Sequence, residues 1–320
     1  MQPIVFINNI SIEEQQNWLA QFKLLLPNEV ILLPEQINQA QAEKVQIAIA
    51  ANPDAKVIAR FPNLVWVQSL WAGVEALVAA VKQLQAENML PSLQLVRLVD
   101  PQLAQTMAEA VLTWTLYLHR QIPEYIAQQR QKKWLQLDQP KAQDTRVSVL
   151  GSGELGVNAM QVLAHHGYRV SGWSRTAKNI PQVTHYQGSS ALPEMLAQTD
   201  ILICLLPLTE QTTGLINRAL LQHLPKGAKL INFGRGGIVN HQDLIECLDE
   251  EQIGHAVLDV FEQEPLSASS PLWEHQKISV LPHISAMTNL ATASKVAADN
   301  ISAYRTSGNI PVSVDLKRGY

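Results

Sequence analysis

The chain has 320 residues, enough for two domains, and with 47% hydrophobic and 16% charged residues it has the composition of an ordinary globular protein. Its formal net charge of -4 provides no basic field for nucleic acid or for an anionic membrane. No signal peptide, membrane-spanning run or metal-binding cysteine spacing is evident, so we expect a cytoplasmic protein with two free thiols and no metal site.

Residues 1–98 alternate short apolar runs with helical patterns, which predicts a small parallel α/β domain. Ser11 and Glu14 have the spacing of a capping box, ahead of a helix that extends to Leu26. The turn from Ser69 to Gly73 precedes a helix predicted at 74–81 and could present backbone N–H groups to a carboxylate, although a plain loop explains it equally well. Strands are predicted at 4–7, 30–33, 47–49, 64–68 and 95–98.

Residues 102–134 form a long helical pattern, and Pro123 predicts a kink or break within it. One face of this pattern carries apolar side chains at helical spacing, namely Met107, Val111, Trp114, Leu118 and Ile122. Such a stripe is more often part of the core or of a subunit contact than part of a cofactor-binding site.

A short β-branched strand at 147–150 runs directly into the spacing G-x-G-x-x-G, formed by Gly151, Gly153 and Gly156 and followed by a helical pattern. In this context the first glycine allows a tight turn and the second lets the backbone approach a pyrophosphate. The third permits close packing of helix on strand. The N–H groups at the start of the helix would hold the pyrophosphate. The stretch therefore predicts a bound dinucleotide.

The alternation of strands and helices continues to residue 282, which predicts a doubly wound, mainly parallel sheet with its ligand at the carboxyl ends of the strands. A last helix at 289–304 follows the completed sheet, and we expect it to pack back on the first domain. The predicted strands are 147–150, 169–173, 201–206, 228–233, 255–260 and 278–281.

The second of these strands is followed by Ser174, Arg175 and Thr176, with no carboxylate to bind the ribose hydroxyls of NAD. Arg175 can instead form a charge-assisted pair with the 2′-phosphate of NADP, and Lys178 lies nearby. A solvated surface arginine is the alternative. The missing acid and the arginine together favour NADP.

Three chemically reactive side chains follow later strands: Arg235, Glu264 and His283. Each is ambiguous alone, because arginines in glycine turns, exposed glutamates and structural histidines are all common. Together they provide a cation for a carboxylate, a titratable proton donor and a carboxylate to tune it, which the reduction of a 2-oxoacid requires.

With these motifs the chain resembles the D-isomer-specific 2-hydroxyacid dehydrogenases, and most closely their glyoxylate/hydroxypyruvate reductase A branch. The resemblance is strongest from Ser69 to Thr288. Two small departures are Gly234, where many relatives have Ala, and Glu75, where many have Asp. The motifs that carry the resemblance are WAGVEAL, LGSGELG, GWSRT, LLPLTEQTTGLIN, INFGRGGIVN, LDVFEQEPL, SPLWEH, LPHISAMT and the terminal RGY.

The resemblance implies two doubly wound parallel-sheet domains, a Rossmann coenzyme domain (99–284) inserted in a flavodoxin-like substrate domain (1–98 and 285–320). It also implies NADPH-dependent reduction of small 2-oxoacids such as glyoxylate and hydroxypyruvate, in a cleft between the domains. A homodimer joined through the coenzyme domain is implied as well, with the Met107–Ile122 stripe as its candidate interface. Arg235 would bind the substrate carboxylate, and His283 would donate a proton to the developing alkoxide. Glu264 would fix the tautomer of that histidine.

The resemblance also implies the remaining site residues. Substrate would be bound by Trp71, the backbone N–H groups of Ala72, Gly73 and Val74, Arg235 and His283. The coenzyme would be bound by Gly151, Ser152, Gly153, Glu154, Leu155, Gly156, Trp173, Ser174, Arg175, Thr176, Leu206, Pro207, Thr212, Phe233, Gly234, Arg235, Asp259, His283 and Ser285.

Two other functions are compatible with the same residue types. One is a non-enzymatic dinucleotide-sensing scaffold, as in the C-terminal-binding-protein co-repressors, although no long disordered tail or partner-binding segment is evident. The other is a dehydrogenase for a different 2-hydroxyacid. Phosphoglycerate is disfavoured, because no cationic cluster beyond Arg235 is visible for a substrate phosphate and no C-terminal regulatory domain follows. Whether Trp71 limits substrate size stays open.

Overall fold

The computed structural model describes residues 2–320, which divide into two compact units. Unit 1 comprises the chain up to Gln102 together with Thr288–Tyr320, and unit 2 comprises Leu103–Met287. The boundaries lie a few residues beyond those expected from the sequence. Unit 1 is therefore discontinuous in the chain, with the whole of unit 2 inserted into it.

The first part of unit 1 forms a five-stranded parallel sheet with the strand order β2-β1-β3-β4-β5. At its first helix, Ser11 Oγ accepts from the N–H of Glu14 at 3.2 Å, and the Glu14 carboxylate accepts from the N–H of Ser11 at 3.0 Å. The predicted capping box is confirmed. The elements are β1 (Ile4–Asn8), α1 (Ile12–Leu25), β2 (Ile31–Leu32), α2 (Gln39–Ala42), β3 (Ile47–Ala51), α3 (Ala55–Ile58), β4 (Trp66–Ser69), α4 (Glu75–Ala86) and β5 (Gln94–Val96).

Unit 2 is built on a seven-stranded parallel sheet with the order β12-β11-β10-β9-β6-β7-β8. The strand order reverses between β6 and β9, where a doubly wound sheet opens a crevice for a ligand. The elements are α5 (Pro101–His119), which begins just before the unit boundary, α6 (Ile122–Arg130), β6 (Arg146–Leu150), α7 (Glu154–His165), β7 (Arg169–Ser174), β8 (Val183–Gln187), α8 (Leu192–Leu196), β9 (Ile201–Cys204), α9 (Arg218–Leu221), β10 (Ala228–Asn232), α10 (His241–Asp249), β11 (Ile253–Leu258) and β12 (Ile278–Val280).

Strand β8 was not expected from the sequence. It lies at the edge of the sheet, none of its five residues is fully buried, and it reads VTHYQ. An edge strand has no need for the continuous apolar run that marks a strand buried on both faces. The sequence pattern therefore does not reveal this strand.

The apolar stripe of α5 belongs largely to the core of unit 2. Met107, Val111 and Leu118 are buried in the cluster that also contains the residues of β6 and α7. They are not a free surface for a second subunit. The helical break lies at Gln121, which adopts a left-handed backbone with φ 55°, and Pro123 then stands in the first turn of α6, where its missing N–H costs nothing.

The last helix, α11 (Leu290–Ser307), completes unit 1. Asn289 caps its start by accepting from the N–H groups of Ala291 and Thr292, and Gly308 ends it with a left-handed φ of 73°. Its buried face, Ala293, Ala297 and Ile301, packs in one cluster with Trp18 and Phe22 of α1. Within residues 2–320, no helix has both the length and the apolar character needed to cross a bilayer.

Candidate active site

The loop between β6 and α7 has the backbone properties that a dinucleotide requires. Gly151 has φ +109°, and a Cβ there would lie 2.8 Å from the Leu205 carbonyl oxygen. A Cβ on Gly156 would lie 1.8 Å from the Gly151 oxygen, so helix and turn pack too closely for any side chain. A Cβ on Gly153 would meet nothing within 4 Å. The middle glycine thus borders open space that a pyrophosphate can occupy.

Helix α7 begins at Glu154, and Gly153 precedes it without a side chain to cap the first turn. The N–H groups of Glu154 and Leu155 at that turn are the donors that a bound anion satisfies. The hydroxyl of Ser152 is directed elsewhere: it is buried and lies 3.0 Å from Nε2 of His185 on β8. The residues of this loop therefore fit the diphosphate of a dinucleotide through their backbone.

The end of β7 carries no carboxylate. Ser174 donates its hydroxyl to the carbonyl of Thr176 at 2.7 Å, and the exposed Arg175 donates from Nη1 to Oε1 of Gln211 at 3.0 Å. Trp173 is buried, and its Nε1 donates to the carbonyl of Gly188 at 2.8 Å. The side chain of Trp173 is thus part of the core, whereas Ser174, Arg175 and Thr176 form a polar, cationic turn that suits a phosphate monoester.

The loop after β9 is organised by the Thr212 hydroxyl. Its Oγ1 donates to the Pro207 carbonyl at 2.7 Å and accepts from the N–H of Thr209 at 2.8 Å. Leu206 is buried in the core of unit 2. Thr212 therefore acts on the shape of this loop in the structure.

The loop after β10 is held by Asn232, a buried residue that the sequence did not single out. Its Oδ1 accepts from the N–H of Gly234 at 3.2 Å, and its Nδ2 donates to the Arg235 carbonyl at 3.1 Å. A Cβ on Gly234 would lie 2.7 Å from the Leu206 oxygen, so this chain has no room for the alanine of many relatives at that position. Phe233 before it is buried as well.

Arg235 is half-buried on this loop, and its Nη1 donates to the carbonyl of Gly234 at 2.7 Å. The next residue, Gly236, packs against the following loop so closely that a Cβ would lie 1.9 Å from the carbonyl carbon of Phe261. The arginine loop and the loop after β11 are therefore in direct backbone contact.

Glu264 lies on that second loop and pairs with His283 on the turn after β12. Its Oε2 is 2.7 Å from Nδ1 of His283, and its Oε1 accepts from the N–H of Phe261 at 2.9 Å. The histidine side chain is 51% exposed and the glutamate side chain 36%. With Nδ1 engaged by a carboxylate, Nε2 is the ring nitrogen that can exchange a proton with a ligand.

The turn that carries His283 is held in place by hydrogen bonds to Asp259. This carboxylate is 1% exposed and accepts from the N–H groups of Ile284 at 2.7 Å and Ser285 at 2.9 Å. His283 itself has a left-handed φ of 56°, which is uncommon for a residue with a side chain. Ser285 Oγ is buried and makes no hydrogen bond within residues 2–320. The sequence placed Asp259 among the coenzyme contacts, and in the structure both its oxygens hold this turn.

Strands β10, β11 and β12 are neighbours in the sheet, so the three loops share its carboxyl edge. A chain of contacts joins them, from Gly236 to Phe261, from Phe261 to Glu264 and from Glu264 to His283. The edge therefore combines a guanidinium with an imidazole whose tautomer is fixed by a carboxylate. This set can bind an anion and transfer a proton.

In unit 1, the turn after β4 leads into α4. The N–H groups of Ala72, Gly73 and Val74 have no acceptor in the part of the chain that the structure describes. Trp71 is half-buried, with its Nε1 donating to Oδ1 of Asn52 at 2.9 Å and its ring 6.2 Å from that of Trp18. The indole thus supports the turn that carries the three N–H groups.

Known proteins resemble this chain over its full length. Residues 112–285 match the family model described as D-isomer specific 2-hydroxyacid dehydrogenase, NAD binding domain. A curated relative, glyoxylate/hydroxypyruvate reductase A of Yersinia enterocolitica, is 34% identical over 309 residues, which are 96% of this chain and 97% of the relative.

Solved structures of the same family also resemble this chain. A D-isomer specific 2-hydroxyacid dehydrogenase of Xanthobacter autotrophicus, in complex with NADPH and MES, has a TM-score of 0.91 and 38% identity, covering 100% of this chain and 99% of that one. An NADPH-dependent glyoxylate/hydroxypyruvate reductase of Sinorhizobium meliloti, in complex with NADP and sulfate, has a TM-score of 0.87 and 31% identity, with both chains covered completely.

Proposed function

This chain belongs to the D-isomer-specific 2-hydroxyacid dehydrogenase family, an NAD(P)-dependent oxidoreductase family, and we propose that it reduces small 2-oxoacids such as glyoxylate and hydroxypyruvate with NADPH. The observation that carries the proposal is the 2.7 Å pair of His283 Nδ1 and Glu264 Oε2 at the sheet edge that also bears Arg235. A proton donor, its tuning carboxylate and a cation are the groups that this reduction needs.

When bound, NADPH would supply the hydride that reduces the keto carbon of the substrate. His283 donates a proton from Nε2 to the oxygen, so that the carbonyl becomes a hydroxyl and the imidazolium becomes neutral. Glu264 accepts from Nδ1–H throughout, which stabilises the protonated ring before transfer and holds one tautomer afterwards.

Arg235 binds the substrate carboxylate in this proposal, since a guanidinium presents paired donors to two carboxylate oxygens. The close packing of Gly234 and Gly236 limits the freedom of the loop that carries Arg235. The N–H groups of Ala72, Gly73 and Val74 in unit 1 are further carboxylate donors, supported by their lack of an acceptor among the described residues.

NADPH is the proposed coenzyme because the turn after β7 offers Ser174, Arg175 and Thr176 where an NAD-specific site would place a carboxylate. The open space at Gly153 and the uncapped start of α7 accommodate the diphosphate. The structures of the Xanthobacter autotrophicus and Sinorhizobium meliloti relatives hold NADPH and NADP, respectively.

The function is tested by following NADPH oxidation with 2-oxoacids of increasing size, from glyoxylate and hydroxypyruvate to phenylpyruvate, and by repeating the assay with NADH. We expect turnover with the small substrates and a much lower KM for NADPH than for NADH. Equal KM values would contradict the coenzyme assignment. Coenzyme binding without turnover of any 2-oxoacid would contradict the enzyme and support the scaffold alternative.

We further propose a homodimer formed through unit 2. The α5 stripe is mostly core, but α6 and the segment after it expose an apolar patch, which we define as Ile122, Ile126, Trp134 and Leu135. Trp134 is 98% exposed, and a large apolar side chain in that position is typical of a surface that a partner covers. A second copy of the chain is the partner that the family resemblance implies. The two buried free cysteines fit a reducing compartment such as the cytoplasm.

A further inference from the structure

His185 on β8 has no part in the proposed proton transfer, yet it joins two segments of the coenzyme site. Its Nε2 lies 3.0 Å from Oγ of Ser152 in the glycine loop and 3.0 Å from Oγ of Ser174 at the end of β7. The first segment faces the diphosphate in the proposed complex, and the second precedes Arg175. One ring nitrogen therefore bridges the two phosphate-binding segments.

The direction of these hydrogen bonds follows from the hydroxyl of Ser174. That hydroxyl donates its only proton to the carbonyl of Thr176 at 2.7 Å, so Ser174 Oγ can only accept from His185. The ring proton is then on Nε2, where it is shared with Ser152 Oγ. Burial, and secondarily the charge of Lys178, lower the pKa of His185, which favours the neutral ring with a single proton.

The ring of His185 also has close neighbours on β7 and α7. His185 is the register partner of Gly172 on β7, and a Cβ on Gly172 would lie 3.5 Å from Cδ2 of His185 and 2.5 Å from Sδ of Met160 on α7. A side chain on residue 172 would displace the thioether of Met160 and would meet the imidazole at ordinary van der Waals distance. The imidazole therefore lies next to Gly172 in addition to making its two hydrogen bonds.

We propose that His185 is a positioning residue for the 2′-phosphate of the coenzyme. By holding Ser174 against the glycine loop, it fixes the spacing between the turn that binds the 2′-phosphate and the turn that binds the diphosphate. NADP engages both turns through its phosphates, whereas NAD has a 2′-hydroxyl in place of the 2′-phosphate and engages only the second turn through a phosphate. This inference rests on the NADPH preference in the proposed function, and it assigns the geometry of that preference to a residue on a strand that the sequence did not predict.

The test is calorimetric binding of NADP+ and NAD+ to the coenzyme-free protein, in the absence of any substrate. For His185→Leu we expect about fivefold to tenfold weaker NADP+ binding, the effect of about one lost hydrogen bond, with NAD+ binding changed less than about twofold. His185→Gln can place an amide donor close to the position of Nε2 and should retain most of the NADP+ affinity that His185→Leu loses. His166→Leu is the matched control, because His166 hydrogen-bonds only within α7, at the end away from the glycine loop.

A second variant keeps the inference testable if His185→Leu does not fold. Ser152→Ala removes the acceptor in the glycine loop, whose buried hydroxyl lies 3.0 Å from His185 Nε2, and it should weaken NADP+ binding selectively as well. Where His185→Leu folds, the double variant should bind NADP+ no more weakly than the weaker-binding single variant, because both substitutions remove the same bridge.

The outcomes separate this inference from the proposed function. If the unmodified protein binds NAD+ and NADP+ equally, the NADPH preference fails and the inference with it. If the unmodified protein prefers NADP+ but the variants keep the same ratio of the two dissociation constants, the inference alone is overturned. An unchanged ratio has this meaning whether the variants weaken the binding of both coenzymes equally or of neither.

Discussion

The carboxylate of Glu264 is held at both oxygens, with Oε2 at 2.7 Å from His283 Nδ1 and Oε1 accepting from the N–H of Phe261 at 2.9 Å. The glutamate is thereby fixed to its own loop, and it orients an imidazole that comes from a different strand. The pair fixes the orientation of the ring at the sheet edge, with Nε2 as the ring nitrogen that can exchange a proton with a ligand.

Replacing the carboxylate tests this relationship directly. Glu264→Gln keeps the size of the side chain but removes the carboxylate that accepts from Nδ1–H, so the tautomer and orientation of His283 are no longer fixed and kcat for 2-oxoacid reduction should fall by about 10-fold or more. Glu262→Gln, in the same loop, is the control and should leave kcat unchanged. An unchanged kcat in Glu264→Gln would show that the carboxylate does not orient the acid.

Loss of the imidazole should lower kcat strongly. We expect His283→Ala to reduce kcat by about 10²- to 10⁴-fold, the usual effect of removing a general acid. Because His283 has a φ of 56°, His283→Asn is the necessary companion, since asparagine tolerates the left-handed backbone better than alanine. If the asparagine variant kept full activity, the loss in the alanine variant would be due to backbone strain and His283 would not be the acid.

Substrate capture should depend on Arg235. Arg235→Ala is expected to lower kcat/KM for the 2-oxoacid by about 10- to 150-fold, the range for lost hydrogen bonds to a charged group, mainly through a higher KM. Arg235→Lys should recover part of this, because an ammonium retains the charge but not the paired donors. The affinity for NADPH, measured without substrate, serves as the check. If that affinity fell by a similar factor, Arg235 would contribute to binding the coenzyme and not specifically the substrate.

The glycine turn after β6 and the capping box at Ser11 were predictable because each depends on residues close together in sequence. The parallel class of the sheet was predictable from the alternation of strands and helices. The hydrogen bonds that hold the turn of His283 were not predictable. Asp259 accepts from amides 25 and 26 residues further along the chain, and this contact exists only once β11 and β12 are paired in register. Periodicity does not encode such contacts, and it also missed β8, whose exposed edge needs few apolar residues.

The apolar patch after α5 predicts an oligomerisation variant. Trp134→Glu places a charge on a residue that is 98% exposed, so the fold of unit 2 should be unaffected. A dimer whose interface contains this residue should dissociate. Sedimentation velocity at micromolar concentration should show the unmodified protein as a dimer and the variant as a monomer. Leu116→Glu, on an exposed position of α5 outside the patch, is the control. A monomeric unmodified protein would contradict the dimer.

Acid should destabilise the protein through His255. Burial, with smaller effects from Lys229 and His275, lowers its pKa to about 4, and its side chain contacts Ser279 Oγ at 3.0 Å. Between about pH 6.5 and pH 4 the unfolded chain binds a proton at this residue that the folded chain does not, so stability falls as pH decreases, by about 3 kcal/mol over the whole interval.

His255→Gln should make urea denaturation less sensitive to pH in this window, because glutamine does not titrate and can still reach Ser279. Denaturation is compared at pH 7 and pH 4.5. His223→Gln, at an exposed position, should leave the pH dependence as it is. An unchanged pH dependence in His255→Gln would show that other groups control the acid sensitivity.

The helix α11 supplies buried side chains to a sheet that begins almost 300 residues earlier in the chain. During synthesis on the ribosome, Trp18 and Phe22 emerge long before Ala293, Ala297 and Ile301, while unit 2 already has all of its strands. The apolar side chains of α1 that pack against α11 therefore stay partly exposed until the last helix leaves the exit tunnel. A nascent chain truncated before α11 is accordingly the species most in need of a chaperone.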